Sequence, residues 1–216
     1  MMRIRTPNQF SHALGDEFSW RRKELLDYRL HAKTTNLIIQ KALIRAGVPL
    51  AYAHWEGFVK NGTELLLNFI SHQNLENKDL NDIFFAHSIK THLNQLISST
   101  KPSTVTEAVV FVRNSNARRA EIRHKNYVDT ESNLSSLVFD QIAKSVGIDT
   151  EKYQFLYKYI DETIVHNRNK IAHGENLQLT ISDFHSLVDK IDELTYMYKT
   201  DLENAVLTQK FKNSLQ

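Results

Sequence analysis

The sequence predicts an all-α bundle, on three observations. Apolar residues recur at three- and four-residue spacing over long stretches, no segment alternates with period two, and only 6 Gly and 3 Pro punctuate 216 residues. Ordinary usage is roughly 7% Gly and 5% Pro, so the chain lacks the turn residues that a many-stranded fold requires. A content of 41% hydrophobic and 24% charged residues reads as globular, and the length suits one large domain. The absence of Cys excludes a disulfide scaffold, a thiolate metal site and a cysteine nucleophile, and it fits a cytoplasmic setting. A net charge of +2 permits a nucleic-acid partner without requiring one. No run approaches the roughly 18 uncharged apolar residues of a membrane span, and the first 16 residues lack the apolar stretch of a secretory signal.

The elements follow in order. A first helix is predicted over about residues 8–46, where Leu14, Phe18, Leu25, Tyr28 and Leu37 to Ile39 recur near helical spacing. Gly47-Val48-Pro49 reads as its end, with Gly as a left-handed cap and Pro in the first turn of the next helix. The second helix, about 50–71, carries Tyr52, Trp55, Phe58, Val59, Leu65 to Leu67, Phe69 and Ile70. It is apolar around more than one stripe, which predicts a central position. After a polar loop, helices are predicted over 81–98 and 104–123, the second holding the short apolar run 109–113. Together with the polar connection 126–133 they make residues 75–133 an elaboration between core helices. A short amphipathic helix over 134–145 ends at Gly147. Thr150 is the predicted N-cap of a long helix from 151 to about 173, ended by Gly174. Thr180 or Ser182 caps a final helix with Phe184, Leu187, Val188, Ile191, Leu194, Met197 and Tyr198 at spacings of three and four. The chain thus reads as a single domain over 1–216: an N-terminal helix within 1–47, the elaboration, and a motif helix plus final helix over 150–210.

The most unusual local chemistry lies in His166-Asn167-Arg168-Asn169-Lys170-Ile171-Ala172-His173-Gly174-Glu175. On an ideal helix His166, Asn169 and His173 share one face, while the apolar stripe Leu156, Ile160, Ile164 and Ile171 lies on another. Arg168 sits about 140° round from His173 at 100° per residue. It joins that face only if the helix breaks near Gly174, if its side chain wraps round, or if a second subunit completes the site. A plain helix terminus accounts for the same residues, since Asn and Gly favour C-termini and basic side chains complement the dipole there.

Arg168-Asn169-x-x-x-His173 resembles the defining motif of the HEPN superfamily, an Arg, a polar residue and a His a few residues on. Ala53-His54-Trp55-Glu56-Gly57-Phe58-Val59-Lys60, Asp129-Thr130-Glu131-Ser132-Asn133-Leu134 and the 168–175 segment resemble, in order, three blocks of a bacterial HEPN-like nuclease subfamily, the MAE type. The likeness covers about residues 50–198. It implies a HEPN-like multi-helix bundle, a homodimer with two Arg–His motifs facing each other, and metal-independent endoribonuclease activity of the kind found in toxins and phage-defence effectors. It further implies an RNA substrate, no cofactor, and a co-encoded antitoxin or defence partner protein.

Metal-free RNA cleavage uses the substrate's own 2′-OH. It needs a proton-transfer group and a cation for the charge that develops on the phosphate. The imidazole of His173 suits the first role, and the permanently charged, forked guanidinium of Arg168 suits the second. Asn169 orients His173 or bonds the phosphate, and Lys170 and His166 are the expected substrate contacts. Glu56 is a candidate supporting carboxylate, though Trp55 in the same block reads as core. The basic run Arg113, Arg118, Arg119, Arg123, His124 and Lys125 fits either an RNA backbone or a solvated face, and Trp20-Arg21-Arg22-Lys23 is treated alike. His87 and His92 are five apart, off one helical face, and no His-Glu-x-x-His occurs, so no metal site is expected; nor is there a phosphate-cradling Gly loop. The competing function is a non-catalytic helical module that binds a partner protein, RNA or a nucleotide. Arg168→Ala and His173→Ala are expected to abolish cleavage with folding nearly unchanged.

Overall fold

A computed structural model of the chain describes residues 3–98 and 101–213. Residues 99–100 of the predicted elaboration, and 1–2 and 214–216 at the ends of the predicted domain, lie outside the described residues. The architecture is all-α, as the periodicity requires. In order come α1 (Pro7–Thr34), α2 (Leu37–Ser71), α3 (Asp82–Ser98), α4 (Pro102–Arg113), α5 (Ser136–Ser145), α6 (Gln154–Tyr159), α7 (His166–Ala172) and α8 (Ile181–Leu207). A π-helical segment, Ile160–Val165, joins α6 to α7 without interruption, and short 3₁₀ turns cover Asn77–Asp79 and Glu151–Tyr153. No strand occurs among the described residues; isolated bridges pair Glu76 with Arg119 and Leu80 with Lys212.

α1, α2 and α8 pack on one another as the core, and α5, the π segment and α7 lie against α2. At 35 residues α2 is about 52 Å long at 1.5 Å per residue, the axis of the molecule. Residues 62–70 of α2 are all buried, as its broad apolar circumference predicts. Trp55, fully buried, packs against Phe139 of α5 with the rings tilted at 49° and 5.2 Å between centroids. Phe139 in turn meets Tyr153 at 5.0 Å and Tyr198 of α8 at 5.4 Å, and the Tyr198 hydroxyl lies 2.6 Å from Thr63 Oγ1. One aromatic cluster therefore joins α2, α5, the start of the α6 segment and α8. Among the described residues no helix is long and apolar enough to cross a membrane.

The predicted break at Gly47-Val48-Pro49 is not where the first helix ends. The chain turns at residues 35–36 instead, where the Asn36 side chain caps α2 by accepting from the Ile39 N–H at 3.0 Å. α2 then runs through Pro49, losing one backbone bond that packing on α1 and α8 offsets. Gly47 is present for space, not for a turn. A Cβ there would sit 2.6 Å from the Phe184 ring and 2.7 Å from the Tyr28 ring. Gly47→Ala is therefore expected to lower the melting temperature. Overpacking costs about 1–3 kcal/mol, whereas the helix-propensity gain is only about 1 kcal/mol. Gly15→Ala in α1, with nothing within 4 Å of the new Cβ, is expected to raise it. Thermal melts of the two single variants check both signs.

Two further boundaries differ from expectation. α4 stops at Arg113, ten residues early, because the following segment has better partners than a helix offers. The Asn77 and Lys78 N–H groups donate to the carbonyls of Arg118 and Asn116 at 2.9 and 3.0 Å, and the Ala120 N–H donates to Leu75 at 2.9 Å. Thr150 does not cap the motif helix: its backbone is already helical and its hydroxyl donates to Asp140 Oδ1 at 2.6 Å. The Glu151 N–H is met by Asp149 Oδ1 at 3.0 Å, and the first turn is 3₁₀. At the end of α5, the Gly147 and Ile148 N–H groups return to Lys144 and Ala143 with Gly147 at φ 72°, the predicted glycine cap. Thr180 caps α8, in a reciprocal capping box with Asp183.

Several histidines bind the fold to pH. Burial lowers the pKa of His87, although its Nε2 lies 2.7 Å from the Ser145 carbonyl, and burial likewise lowers that of His54, although Glu24 Oε2 lies 2.7 Å away. A depressed folded-state pKa means that the unfolded chain binds more protons just below the ordinary imidazole value of about 6.5. These groups contribute stability above that value, and it is lost as pH falls through it toward the folded pKa. Melting at pH 5.5 should thus lie below that at pH 7.5, and His87→Gln should flatten the dependence.

Candidate functional site

The motif residues sit at the last turn of the continuous 151–172 helical run. The predicted stripe behaves as expected: Leu156, Ile160 and Ile164 are buried and Ile171 is half-buried against the core. His166 and His173 are exposed and Asn169 is half-buried, so the polar face does turn away from the core. The π segment immediately before α7 buries Ile160, Ile164 and Val165. Such segments recur at functional sites.

His173 is the C-cap of α7. The Gly174 N–H returns to the Ile171 carbonyl at 3.1 Å and the Glu175 N–H to the Lys170 carbonyl at 2.9 Å, with Gly174 at φ 79°. This double closure needs the left-handed residue that Gly supplies, so Gly174 fixes where the helix stops and leaves the imidazole of His173 at its exposed tip. One turn back, the Asn169 carbonyl accepts the His173 N–H at 2.9 Å. The Glu175 carbonyl accepts from Arg45 Nη1 of α2 at 2.6 Å, which pins the exit of the motif.

The Arg168 side chain wraps back to its neighbour Asn169 and to the 129–134 loop. Its Nη1 donates to Asn169 Oδ1 at 2.6 Å and its Nη2 to the Ser132 carbonyl at 2.5 Å. Its guanidinium carbon lies 4.2 Å from the centroid of the Tyr52 ring of α2, in cation–π contact. Three of a guanidinium's five N–H donors remain for another ligand. Asn169 Nδ2 approaches Asn133 Oδ1 at 3.5 Å. The structure therefore brings Arg168 and Asn169 into direct contact, whereas His173 is tied to Asn169 by the backbone bond of the last turn and makes no side-chain contact with Arg168 among the described residues. His166 and Lys170 share α7, with Lys170 Nζ 3.9 Å from Glu175 Oε2.

The loop under Arg168 is unusual. Glu131 and Ser132 both adopt φ near +55° (53° and 55°), a left-handed conformation that side chains disfavour. Asp129 Oδ1 accepts the Glu131 N–H at 2.8 Å, and the Leu134 N–H donates to the Tyr52 hydroxyl at 2.7 Å. Asp161 of the π segment takes the Ser136 N–H at 2.8 Å and its hydroxyl at 2.6 Å. The loop is thus tied to α2 and to the π segment, and the strained pair at its tip presents the carbonyl that holds Arg168. Strain of this kind persists only where the surroundings enforce it.

Burial raises the pKa of Tyr52, the Leu134 N–H opposes this, and the Glu56 carboxylate adds to it, so the phenol stays neutral and serves as a platform. Glu56 Oε1 is buried without a hydrogen-bond partner one turn along α2 from Tyr52. Tyr52 and Ser132 are the residues that helical spacing alone does not assign to the site; their partnership with Arg168 is long-range. The 53–60 block is mostly structural. Trp55 is core, and Gly57 gives room to the buried Arg21, whose Nη1 would lie 2.6 Å from a Cβ there.

Among the described residues no group of three or more His, Asp or Glu is placed to hold a metal ion. His92 stacks on Phe111 at 3.4 Å and His87 faces the Ser145 carbonyl and Tyr127, so both are packing residues. A model of the RiboL-PSP-HEPN family matches residues 16–204. No curated protein and no solved structure matches the chain.

Proposed function

Because the chain belongs to the RiboL-PSP-HEPN family, we propose that it is a metal-independent endoribonuclease in which Arg168 and His173 carry the chemistry. The observation that supports this reading most directly is the mounting of Arg168. It is a half-buried cation fixed by the Tyr52 ring, Ser132 and Asn169, five residues before the exposed imidazole of His173. A structural helix end does not need a strained loop to aim an arginine.

In the proposed reaction His173 removes the proton from a ribose 2′-OH. The oxygen attacks the adjacent phosphorus, and Arg168 stabilises the charge that builds on the non-bridging oxygens. The P–O5′ bond breaks, and the departing 5′ oxygen receives a proton from the partner's His173 or from water. The products are a 2′,3′-cyclic phosphate and a 5′-hydroxyl. Asn169 holds Arg168 at its working angle, while His166 and Lys170 flank the substrate path. The order of the three sequence blocks supports an MAE-type member acting as a toxin or phage-defence effector, with a co-encoded antitoxin or defence protein to restrain it.

The product ends test the function. Incubation with a mixed RNA pool in excess EDTA should leave 2′,3′-cyclic phosphates or their hydrolysed form, and DNA of the same sequence should stay intact. DNA cleavage, or activity only with added divalent ions, would overturn the reading and return Glu56 and Glu175 as metal ligands.

The family pattern and the outward face of α7 also support a homodimer with His166, Asn169 and His173 at its interface. Light scattering at micromolar concentration should give about twice the monomer mass. A persistent monomer, or a dimer joined through another face, would sink the composite site.

A further inference from the structure

The basic run of residues 113–125 does not behave as one solvated face. Arg118 stacks on Phe111 at 4.7 Å and belongs to the packing. Arg119, Arg123 and His124 turn instead into a cleft at the far end of α2. Along that helix the cleft, at Ser71, lies about 28 Å from Tyr52 under the motif, at 1.5 Å per residue.

Two adjoining hollows form the cleft. The first, of about 490 Å³, is lined by Arg3, Arg5, Ser71, His72, Asn74 and Arg119. The second, of about 590 Å³, shares Ser71, His72 and Arg119 with it and adds Arg123 and His124. Remote segments are fixed around this space by specific bonds. The N-terminal segment is held by the Ile4 N–H donating to Asn68 Oδ1 at 3.1 Å and by Gln73 Nε2 donating to the Arg5 carbonyl at 3.1 Å. The basic segment is pinned by the Ala120 N–H donating to the Leu75 carbonyl, and by the Glu121 N–H donating to Ser88 Oγ, both at 2.9 Å.

The charges are not neutralised from within. Among the described residues no carboxylate lines the first hollow, and Glu121 is the one carboxylate on the second. The Arg119 guanidinium meets the neutral Asn74 Oδ1 at 2.9 Å, and among the described residues Arg3, Arg5 and Arg123 form no ion pair. Glu64, the carboxylate behind His124, already accepts the Tyr127 N–H at 3.1 Å. His72 donates its Nδ1–H to the Asn68 carbonyl at 2.8 Å, which leaves Nε2 uncommitted. Four permanently charged guanidinium groups, with two imidazoles beside them, line one concave site against the guanidiniums' mutual repulsion. Such an arrangement fits several linked anions better than one, and guanidinium forks match phosphate oxygens.

We propose that this cleft is an RNA-backbone exosite, which binds the phosphodiesters of a single strand at a distance from the cleavage centre. The proposal rests on the ribonuclease reading for its choice of polyanion. A long substrate is gripped here while its scissile bond lies at α7, and a dinucleotide, too short to reach, does not sense the cleft.

The test uses the full chain in a His173→Ala background, so that RNA survives, with a labelled 20-nucleotide single strand and anisotropy over a salt series. Arg3→Gln/Arg5→Gln/Arg119→Gln should weaken binding at least tenfold at about 0.1 M salt. It should also reduce the slope of log affinity against log salt by about 2, or about 0.7 for each phosphate no longer neutralised. Lys23→Gln/Arg113→Gln/Lys158→Gln removes the same charge outside the cleft and should change neither quantity by more than about twofold. Equal losses in the two triple variants, or no loss in the first with its helical signal intact, would overturn the proposal. So would preference for anionic phospholipid vesicles over RNA. On the otherwise wild-type protein, the cleft variant should cut a dinucleotide normally and long RNA poorly. Cleft-dependent binding in a protein that cuts no RNA would keep the cleft as an RNA-backbone binding site and refute the ribonuclease reading.

Discussion

Replacing His173 with Ala should lower RNA cleavage by about 10²–10⁴-fold, the usual worth of a positioned general acid or base. The side chain is exposed and makes no hydrogen bond or ion pair among the described residues, so stability should move by no more than about 0.5 kcal/mol. Arg168→Ala should lower cleavage by about 10²–10³-fold, the usual loss for one charge-stabilising donor. Its effect on folding will differ from that of His173→Ala, contrary to what the motif alone suggests. Arg168 bonds the Ser132 carbonyl and covers Tyr52; the bond is solvent-exposed and worth about 1 kcal/mol, and a cation–π contact adds about 0.5–1 kcal/mol. A melting temperature lowered by several degrees is thus the expected companion of the activity loss. Arg168→Lys separates the two roles: it keeps the charge and loses the fork that spans Ser132 and Asn169. Single-turnover rates and melts on the three variants check the set. If His173→Ala unfolds, or Arg168→Ala keeps full cleavage, the assignment of roles is wrong.

Trp55→Ala should destabilise the protein by about 3–5 kcal/mol, the common cost of truncating a buried aromatic residue. Trp55 is fully buried and begins the aromatic cluster that runs through Phe139 to Tyr153 and Tyr198, so its loss opens a cavity between α2, α5 and α8. Domains are stable by only about 5–15 kcal/mol, so this variant should be partly unfolded near physiological temperature. Trp55→Phe should be much milder. It keeps most of the ring and removes an indole N–H that is buried without a partner. Denaturant titration gives both values. The contrast with His173 separates two blocks that look equally distinctive in sequence: one acts through packing, the other through the substrate. Trp55→Ala cleaving normally at low temperature, where it is folded, would agree with this; a folded but inactive Trp55→Ala would place the 53–60 block in the chemistry.

The chain's own periodicity determined most of the architecture. The central burial of α2 follows from its apolar circumference, and the α8 stripe from spacings of three and four. The ends at Gly147, Gly174 and Thr180 follow from local cap chemistry. These features depend on neighbours a few residues away, and such neighbours are visible in a string of letters. The outward face of His166, Asn169 and His173 was legible for the same reason. What only the tertiary structure decided are the choices made by remote partners. Gly47 looks like a cap and is a spacer, because Phe184 and Tyr28 arrive from α8 and α1. The 114–123 segment has helical character and is not helical, because the loop at 75–78 supplies its backbone bonds. Arg168 is off the histidine face by helical arithmetic, yet it joins Asn169, because Tyr52 and the Ser132 carbonyl lie where a long side chain can reach them. The convergence of Arg3, Arg5, Arg119 and Arg123 joins two distant parts of the chain and has no period at all. Short-range regularity is encoded in spacing, whereas long-range contact is a property of the folded packing that no local pattern contains.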